Sequence, residues 1–437
     1  MNNQRNLQDI LSRPRSIQDT GLNTGLLSSL ALIHIYNVGE TTAQEISRAI
    51  HLPFTGVIQP VLQSLDQEGL VNIVGAGGLG EPTYRYTLSN NGINRAHDAL
   101  ERSQYSGPAP VPIELYNTMI RAQAIGEVQL DENDVKEAFR GLVINPAMFD
   151  KIGPAVNSGK SVFLYGPPGN GKTTIATRMS ALLARDPIYI PYAVNVGGYI
   201  IKVYDDSSHK QVTIEKKRTG ILSSGDAVTS ENLRDERWVL IERPTVMVGG
   251  ELTLESLDLI WDPVAKYYEA PFQMKANGGM FLIDDFGRQQ MDPQDLLNRW
   301  IVPLETRIDF LSLHTGKKLE IPFEQLVVFS TNLDPADLVD DAFLRRIRHK
   351  IKVDNPTFEE FHEIFQIMCR VRKVQYNREV FAHMVREWYV KPKRAFKNSH
   401  PRDIIDQFLD IVHYKRLEPN ITVETLDMAC SAYFADL

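Results

Sequence analysis

Between Leu22 and Arg102 the apolar positions recur first at helical and then at strand spacing. Leu26–Tyr36 is apolar at helical spacing. Thr41 or Thr42 is placed to cap a short helix running through Ala49, because a hydroxyl there can accept from the first free backbone amides. Pro53 opens an amphipathic stretch whose apolar face is Val57, Ile58, Val61, Leu62 and Leu65. Gly69 stands where a helix end favours a left-handed residue. Leu70–Val74, a turn containing Gly75, Gly77, Gly78 and Gly80, and Tyr84–Leu88 read as strand, loop and strand. A helix over Asn91–Arg102 closes the unit. Residues 1–20 are polar with no sustained period and read as a flexible arm or one weak helix. Ser106-Gly107-Pro108-Ala109-Pro110-Val111-Pro112 favours extended polyproline II and cannot continue a helix. The expected boundaries are therefore a domain over 21–105 and a linker with connecting helices over 106–138.

Beyond the linker, three short apolar runs end in polar chemistry. Ser161–Tyr165 leads into Gly166-Pro167-Pro168-Gly169-Asn170-Gly171-Lys172-Thr173 and a helix to about Arg185. This is a glycine-rich loop between strand and helix with Lys and Thr at its end. Its backbone amides wrap phosphates and the helix N-terminus adds positive potential. Lys172 reaches the β- and γ-phosphates, Thr173 offers a hydroxyl to Mg²⁺, and Thr174 completes the phosphate-binding stretch. Met280–Ile283 ends in Asp284-Asp285. Asp284 is the expected second Mg²⁺ contact, and Asp285 the carboxylate that polarises an attacking water. Gln325–Ser330 ends in Thr331-Asn332, where Asn332 can orient that water or touch the γ-phosphate.

Composition changes this picture little. The chain has 437 residues, 43% hydrophobic and 23% charged, with a net charge of −8. No global positive field draws it to nucleic acid or anionic lipid. Its two cysteines, Cys369 and Cys430, sit in apolar surroundings and read as buried thiols. Met1–Asn6 begins no signal-like apolar segment, and no apolar run approaches the roughly 20 residues that span a bilayer. The expected location is the cytoplasm, with no membrane insertion.

Helix, helix pair and glycine-tipped hairpin over 21–105 resemble a winged-helix domain. That resemblance implies either DNA binding or a protein-docking role. The candidate reading helix, Pro53–Glu68, contains no Lys or Arg and does contain Asp66 and Glu68. This disfavours DNA, since phosphate neutralisation needs cations. The ordered motifs from Phe139 onward resemble the AAA+ ATPases. The phosphate loop has that family's preferred form, and Asn332 matches its first sensor. Asp341-Ala342-Phe343-Leu344-Arg345-Arg346-Ile347 resembles the segment carrying the arginine finger, with Arg346 the first choice and Arg345 the alternative. His400-Pro401-Arg402-Asp403 resembles the second sensor, with Arg402 contacting the γ-phosphate from a C-terminal lid.

The resemblance implies an α/β P-loop NTPase core of three layers over 139–354 and a helical lid over 355–437. It also implies ATP and Mg²⁺ as cofactors and a homo-oligomeric, hexameric ring acting on a protein client. Asn277–Asp285 resembles the lead-in of MoxR-like ATPases. Apolar alternation over Ile308–Leu313 and Lys318–Ile321 reads as a hairpin before the first sensor, as in the branch with a pre-sensor hairpin. A β-rich insertion is expected over 187–246, with strands at Tyr199–Tyr204 and Arg237–Ile241 around a polar, mobile segment. A helical stretch is expected over Val248–Met274, placing Tyr267 and Tyr268 in helix packing or facing a pore. One departure stands out: the family has Asp-Glu where this chain has Asp284-Asp285. A side chain shorter by one methylene stops roughly 1.5 Å short, and misplacement by ~1 Å can cost about 10²-fold in rate. Two other readings follow: a DNA-associated motor or regulator, and a nucleotide-gated scaffold with little turnover.

Overall fold

The computed structural model describes residues 7–127, 129–212, 234–338 and 341–434. Its N-terminal part contains α1 (Thr24–Val38), β1 (Thr41–Thr42), α2 (Ala43–Ile50), α3 (Gln59–Gln67), β2 (Val71–Ala76), β3 (Tyr84–Leu88) and α4 (Asn90–Arg102). Thr42 caps α2 in a reciprocal box: its hydroxyl accepts from the Glu45 amide while the Glu45 carboxylate accepts from the Thr42 amide. The apolar face of α3 and the turn before it, Val57, Ile58, Val61, Leu62 and Leu65, is buried. β1, β3 and β2 form an antiparallel sheet.

Residues 7–20 are packed rather than flexible. Leu7, Ile10 and Leu11 lie against the apolar cluster of the insertion sheet, and the Asp235 amide donates to the Leu11 carbonyl. Residues 106–112 are likewise no free tether. Ala109 and Val111 are buried, and Val111–Pro112 forms a short strand, β4, parallel to a strand of the insertion. The reason is local: the prolines hold the chain extended, and an extended chain at a sheet edge can pair.

After α5 (Ile113–Ala122), α6 (Glu132–Ala138) and α7 (Pro146–Ser158) comes β5 (Val162–Tyr165), then α8 (Lys172–Leu183). The insertion supplies β6 (Ile188–Pro191), β7 (Ala193–Val196), β8 (Tyr199–Lys202) and β9 (Trp238–Ile241). Most of its expected mobile segment, 213–233, lies outside the described residues. β10 (Thr245–Val248) is the edge of the core sheet. The stretch expected to be helical instead forms β11 (Ile260–Trp261) and β12 (Tyr268–Glu269), with only a 3₁₀ turn at Glu255–Leu257 and a single-turn helix at Phe272–Lys275. Asp262 explains the change: its carboxylate accepts from the Val264 and Ala265 amides, and Lys266 follows at φ 57, closing a hairpin turn. Tyr267 and Tyr268 therefore lie in a hairpin rather than a helix. Tyr268 is fully buried, and Tyr267 packs on the N-terminal core.

The remaining elements are β13 (Met280–Ile283), α9 (Pro293–Thr306), the hairpin β14 (Ile308–Ser312) and β15 (Lys318–Pro322), β16 (Leu326–Thr331) and β17 (His349–Lys352). The lid comprises α10 (Phe358–Val371), α11 (Arg378–Val385), α12 (His400–Lys415) and α13 (Val423–Tyr433). The core sheet has the order β10-β13-β16-β5-β17, all parallel. Its side chains alternate between two layers. Val162, Leu164, Met280, Leu282, Leu326 and Val328 meet α7 and α8. Phe163, Phe281, Ile283, Val327 and Phe329 meet α9 through Leu296 and Trp300. This is the three-layer α/β core of a P-loop NTPase. Cys369 and Cys430 are buried in the lid, and burial pushes both thiols up to about 12. Among the described residues no helix is long and apolar enough to cross a membrane.

Candidate nucleotide site

Parallel strands send their following loops to one edge of the sheet, and ligands bind there. The loops after β5, β13 and β16 converge on a cleft of about 710 Å³ whose wall includes Gly169, Lys172, Thr173, Thr174, Asp284, Asp285 and Asn332. Gly166 has φ +142, and a Cβ there would sit 2.2 Å from the Val353 carbonyl oxygen, so the loop can pass β17 only as glycine. Gly169 and Gly171 are also left-handed, at φ +82 and +83. Pro168 lines the cleft.

Lys172 is 6% exposed. Its Nζ donates to the Gly166 and Pro167 carbonyls at 2.9 and 3.0 Å and to Asn332 Oδ1 at 2.7 Å. Burial lowers the ammonium pKa, and the Asp284 and Asp285 charges oppose that shift. Asn332 in turn donates to Asp285 Oδ1 at 3.0 Å. The Thr173 hydroxyl donates to Asp284 Oδ2 at 2.8 Å. These are hard oxygen donors beside a phosphate cradle, the set that Mg²⁺ takes together with substrate oxygens and water. The expected Mg²⁺ contacts therefore fit. When bound, the ion would neutralise charge on the phosphates.

Apolar side chains from two elements also line the cleft. Leu142, Ile144 and Met148 approach from before and within α7, and Ile364, Ile367 and Met368 from α10. Such a slot suits the flat face of a base. Arg402 lies on the lid wall of the same cleft, where its guanidinium is paired with Asp403 at 2.8 Å. Arg345 and Arg346 do not line it. Arg346 accepts through its carbonyl from Ser161 Oγ at 3.2 Å, which puts the pair at the opposite end of β5 from the phosphate loop. The Arg346 side chain contacts Glu305 at the end of α9 at 2.5 Å.

Three contributions escaped the motif reading. The Asn170 side chain donates to Asn355 Oδ1 at 2.8 Å. The lid answers with Asn398 Nδ2 donating to the Asn170 carbonyl at 3.1 Å and the Ser399 amide donating to the Gly169 carbonyl at 2.8 Å. The third is Gln289, which bonds the turn carrying Asp285. No sequence spacing marks the first two, because they join segments whose approach only the fold sets, and Gln289 acts within its own turn, whose shape no motif gives.

Residues 357–432 match a family model described as "Domain of unknown function (DUF8689)". A 54-residue segment is 41% identical to the proteasome-activating nucleotidase of Methanocella arvoryzae, covering 12% of this chain and 12% of that protein. An 81-residue segment is 32% identical to the 26S proteasome subunit RPT4 of Saccharomyces cerevisiae, covering 18% of each. The matches thus span less than a fifth of these curated relatives. Among solved structures, the Thermotoga maritima RuvB Holliday junction branch migration motor aligns with TM-score 0.36 and 15% identity, over 73% of this chain and 74% of that one. NtrX from Brucella abortus in complex with ADP aligns with TM-score 0.40 and 12% identity, over 80% and 68%. Superpositions that loose carry no argument; the fold rests on the strand order and the loop chemistry at its edge. The strand order and loop chemistry are those of an α/β P-loop NTPase core, and short segments of the chain are similar in sequence to the nucleotidase and proteasome subunit named above.

Proposed function

We propose that this protein hydrolyses Mg–ATP as a homo-oligomeric ring, six-membered by family resemblance, and uses the cycle to remodel a protein client. One observation carries the reading: an unbroken polar line from Lys172 through Asn332 to Asp285 along the cleft edge. In this reading Lys172 leaves the loop carbonyls for the β- and γ-phosphates. Asp285 polarises the water that Asn332 helps to orient, and Arg402 leaves Asp403 for the γ-phosphate. Arg346, or Arg345 beside it, serves a neighbouring subunit's site, in keeping with its position at the far end of β5 from its own. In related systems such an arginine is worth about 10³–10⁵ in rate.

The hairpin β14–β15 directly before β16 supports placement in the pre-sensor hairpin branch, near the MoxR-like ATPases. We read the N-terminal domain as a winged helix that docks protein. The outward face of α3 presents Gln63, Asp66 and Gln67, followed by Glu68. The entry to α3 is crossed by the arm: a Cβ at Gly56 would lie 2.1 Å from the Arg15 carbonyl oxygen. Duplex DNA binding with a steep salt slope would favour the DNA-associated reading instead.

Mixing subunits tests the ring. Arg346→Ala and Lys172→Ala chains, each inactive alone, should regain turnover together, because some interfaces pair an intact finger with an intact phosphate loop. No recovery at any ratio, with assembly confirmed, would remove Arg346 from that role.

A further inference from the structure

The turn after β13 holds Asp285 in an uncommon backbone state. Asp285 has φ 49, a left-handed conformation that a non-glycine residue holds only where its surroundings impose it. Three sets of contacts impose it here. The Phe286 amide donates to the Ser330 carbonyl at 2.7 Å, and Thr331 Oγ1 donates to the Phe286 carbonyl at 2.7 Å, tying the turn to β16. Gly287, at φ +100, lets the chain pass Leu338, which a Cβ would meet at 2.7 Å. The Gln289 side chain closes the loop: Nε2 donates to the carbonyls of Asp284 at 3.1 Å and Asp285 at 3.2 Å, while Oε1 accepts from the Gly287 amide at 2.8 Å. One amide group thus satisfies three backbone groups of a four-residue turn. The Asp285 carboxylate leaves that turn in contact with Asn332 at 3.0 Å.

We propose that Gln289 is a positioning residue that holds the turn in the shape that carries the short Asp285 carboxylate to the attacking water. The proposal rests on the reading of Asp285 as the water-polarising group. It says how the chain meets the missing methylene: the backbone moves instead of the side chain reaching. Gln289 does not line the cleft; it acts through the Asp284 and Asp285 carbonyls. Its loss therefore leaves the phosphate loop intact, because Lys172 and Thr173 make no contact with it.

Steady-state kinetics and ATP-binding titrations on the full chain test this, comparing wild type, Gln289→Met, Asp285→Glu and the double variant. Gln289→Met keeps the length and removes every hydrogen bond. It should lower kcat about 10- to 100-fold, the scale of a ~1 Å misplacement, with KM and ATP affinity within about twofold. In that background Asp285→Glu should raise kcat above Gln289→Met alone, because a longer carboxylate depends less on the turn. A kcat within twofold of wild type, or a fall in ATP affinity matching the fall in rate, overturns the role. Should Gln289→Met fail to fold, Gln289→Glu retains the length and the acceptor for Gly287 but sets a charge against two carbonyls. The same loss of kcat at constant affinity is expected, and an unchanged kcat contradicts the proposal. Wild type that binds ATP without turnover would remove the ATPase reading and this role with it; an active wild type with an unaffected variant removes this role alone.

Discussion

The parallel sheet β10-β13-β16-β5-β17 and the mixed sheet β11-β12-β8-β7-β4 have the same number of strands and do different work. In the parallel sheet every strand has four to six residues and sends its following loop to the same edge, so Lys172, Thr173, Asp284, Asp285 and Asn332 collect there. The mixed sheet includes three strands of only two residues, drawn from the linker and the 260–269 hairpin. Its strand directions are mixed, with parallel and antiparallel pairs in turn, so its loops leave at both edges. It serves as a mount. Ala193 and Ile200 enter the core of the N-terminal domain, joined by Tyr267, while Val194 and Ile201 face the opposite cluster. The difference is one of direction: uniform strand polarity concentrates reactive loops, whereas mixed polarity yields two apolar faces that join bodies.

The largest effect that would sharpen this contrast lies in the mount. Arg237 is 1% exposed, pairs with Asp235 at 2.7 Å, and donates to the Thr20 and Pro110 carbonyls at 2.9 and 3.2 Å. It joins arm, linker and insertion. Arg237→Ala leaves a buried carboxylate unpaired and should cost about 3–5 kcal/mol in denaturant unfolding, with ATP affinity of the folded protein unchanged. A comparable loss of ATP affinity would break the division between the two sheets.

Next comes the edge of the parallel sheet. Asp285→Asn should reduce turnover about 10²-fold or more while ATP binding persists, as read by single-turnover assay and nucleotide titration. Retained turnover would take Asp285 out of the chemistry.

A smaller effect concerns the lid. Burial, helped by the Lys397 charge, lowers the His400 pKa from 6.5 to about 4, and the ring accepts or donates a hydrogen bond with Tyr389 at 3.0 Å. The unfolded chain binds this proton below about 6.5 and the folded chain only below about 4, so stability is present at neutral pH and is lost as pH falls through that window. His400→Gln should flatten this part of the stability profile; an unaltered slope would rule out His400 as its source. The smallest effect is at the N-terminal cap: Thr42→Ala should cost about 1 kcal/mol, seen as a lower Tm for the N-terminal domain and no change in turnover.

The same contrast explains what was legible in the sequence. Ser161–Thr173, Met280–Asp285 and Gln325–Asn332 were readable because a buried parallel strand needs a contiguous apolar run and the phosphate chemistry needs fixed residues directly after it. Thr42, Gly69 and the apolar face of α3 were readable for the same local reasons. Of the mixed sheet only β8 was, within the strand read over Tyr199–Tyr204. Two-residue strands leave no period, and the aromatic-rich stretch around Trp261, Tyr267 and Tyr268 mimics helix spacing until Asp262 turns the chain. Residues 7–20 looked mobile because their few apolar residues, Leu7, Ile10 and Leu11, acquire partners only from the insertion. Gln289 was invisible because its role depends on the shape of a turn rather than on a motif.

ATP turnover per subunit, measured over a wide range of protein concentration with Lys172→Ala as the blank, tests the central claim most directly. A specific rate that climbs with concentration and then saturates is the result expected of the proposed ring, in which a neighbour's arginine completes each cleft. A measurable rate that stays flat would contradict the shared site, and ATP binding with no turnover at any concentration would leave a nucleotide-gated scaffold in place of the motor.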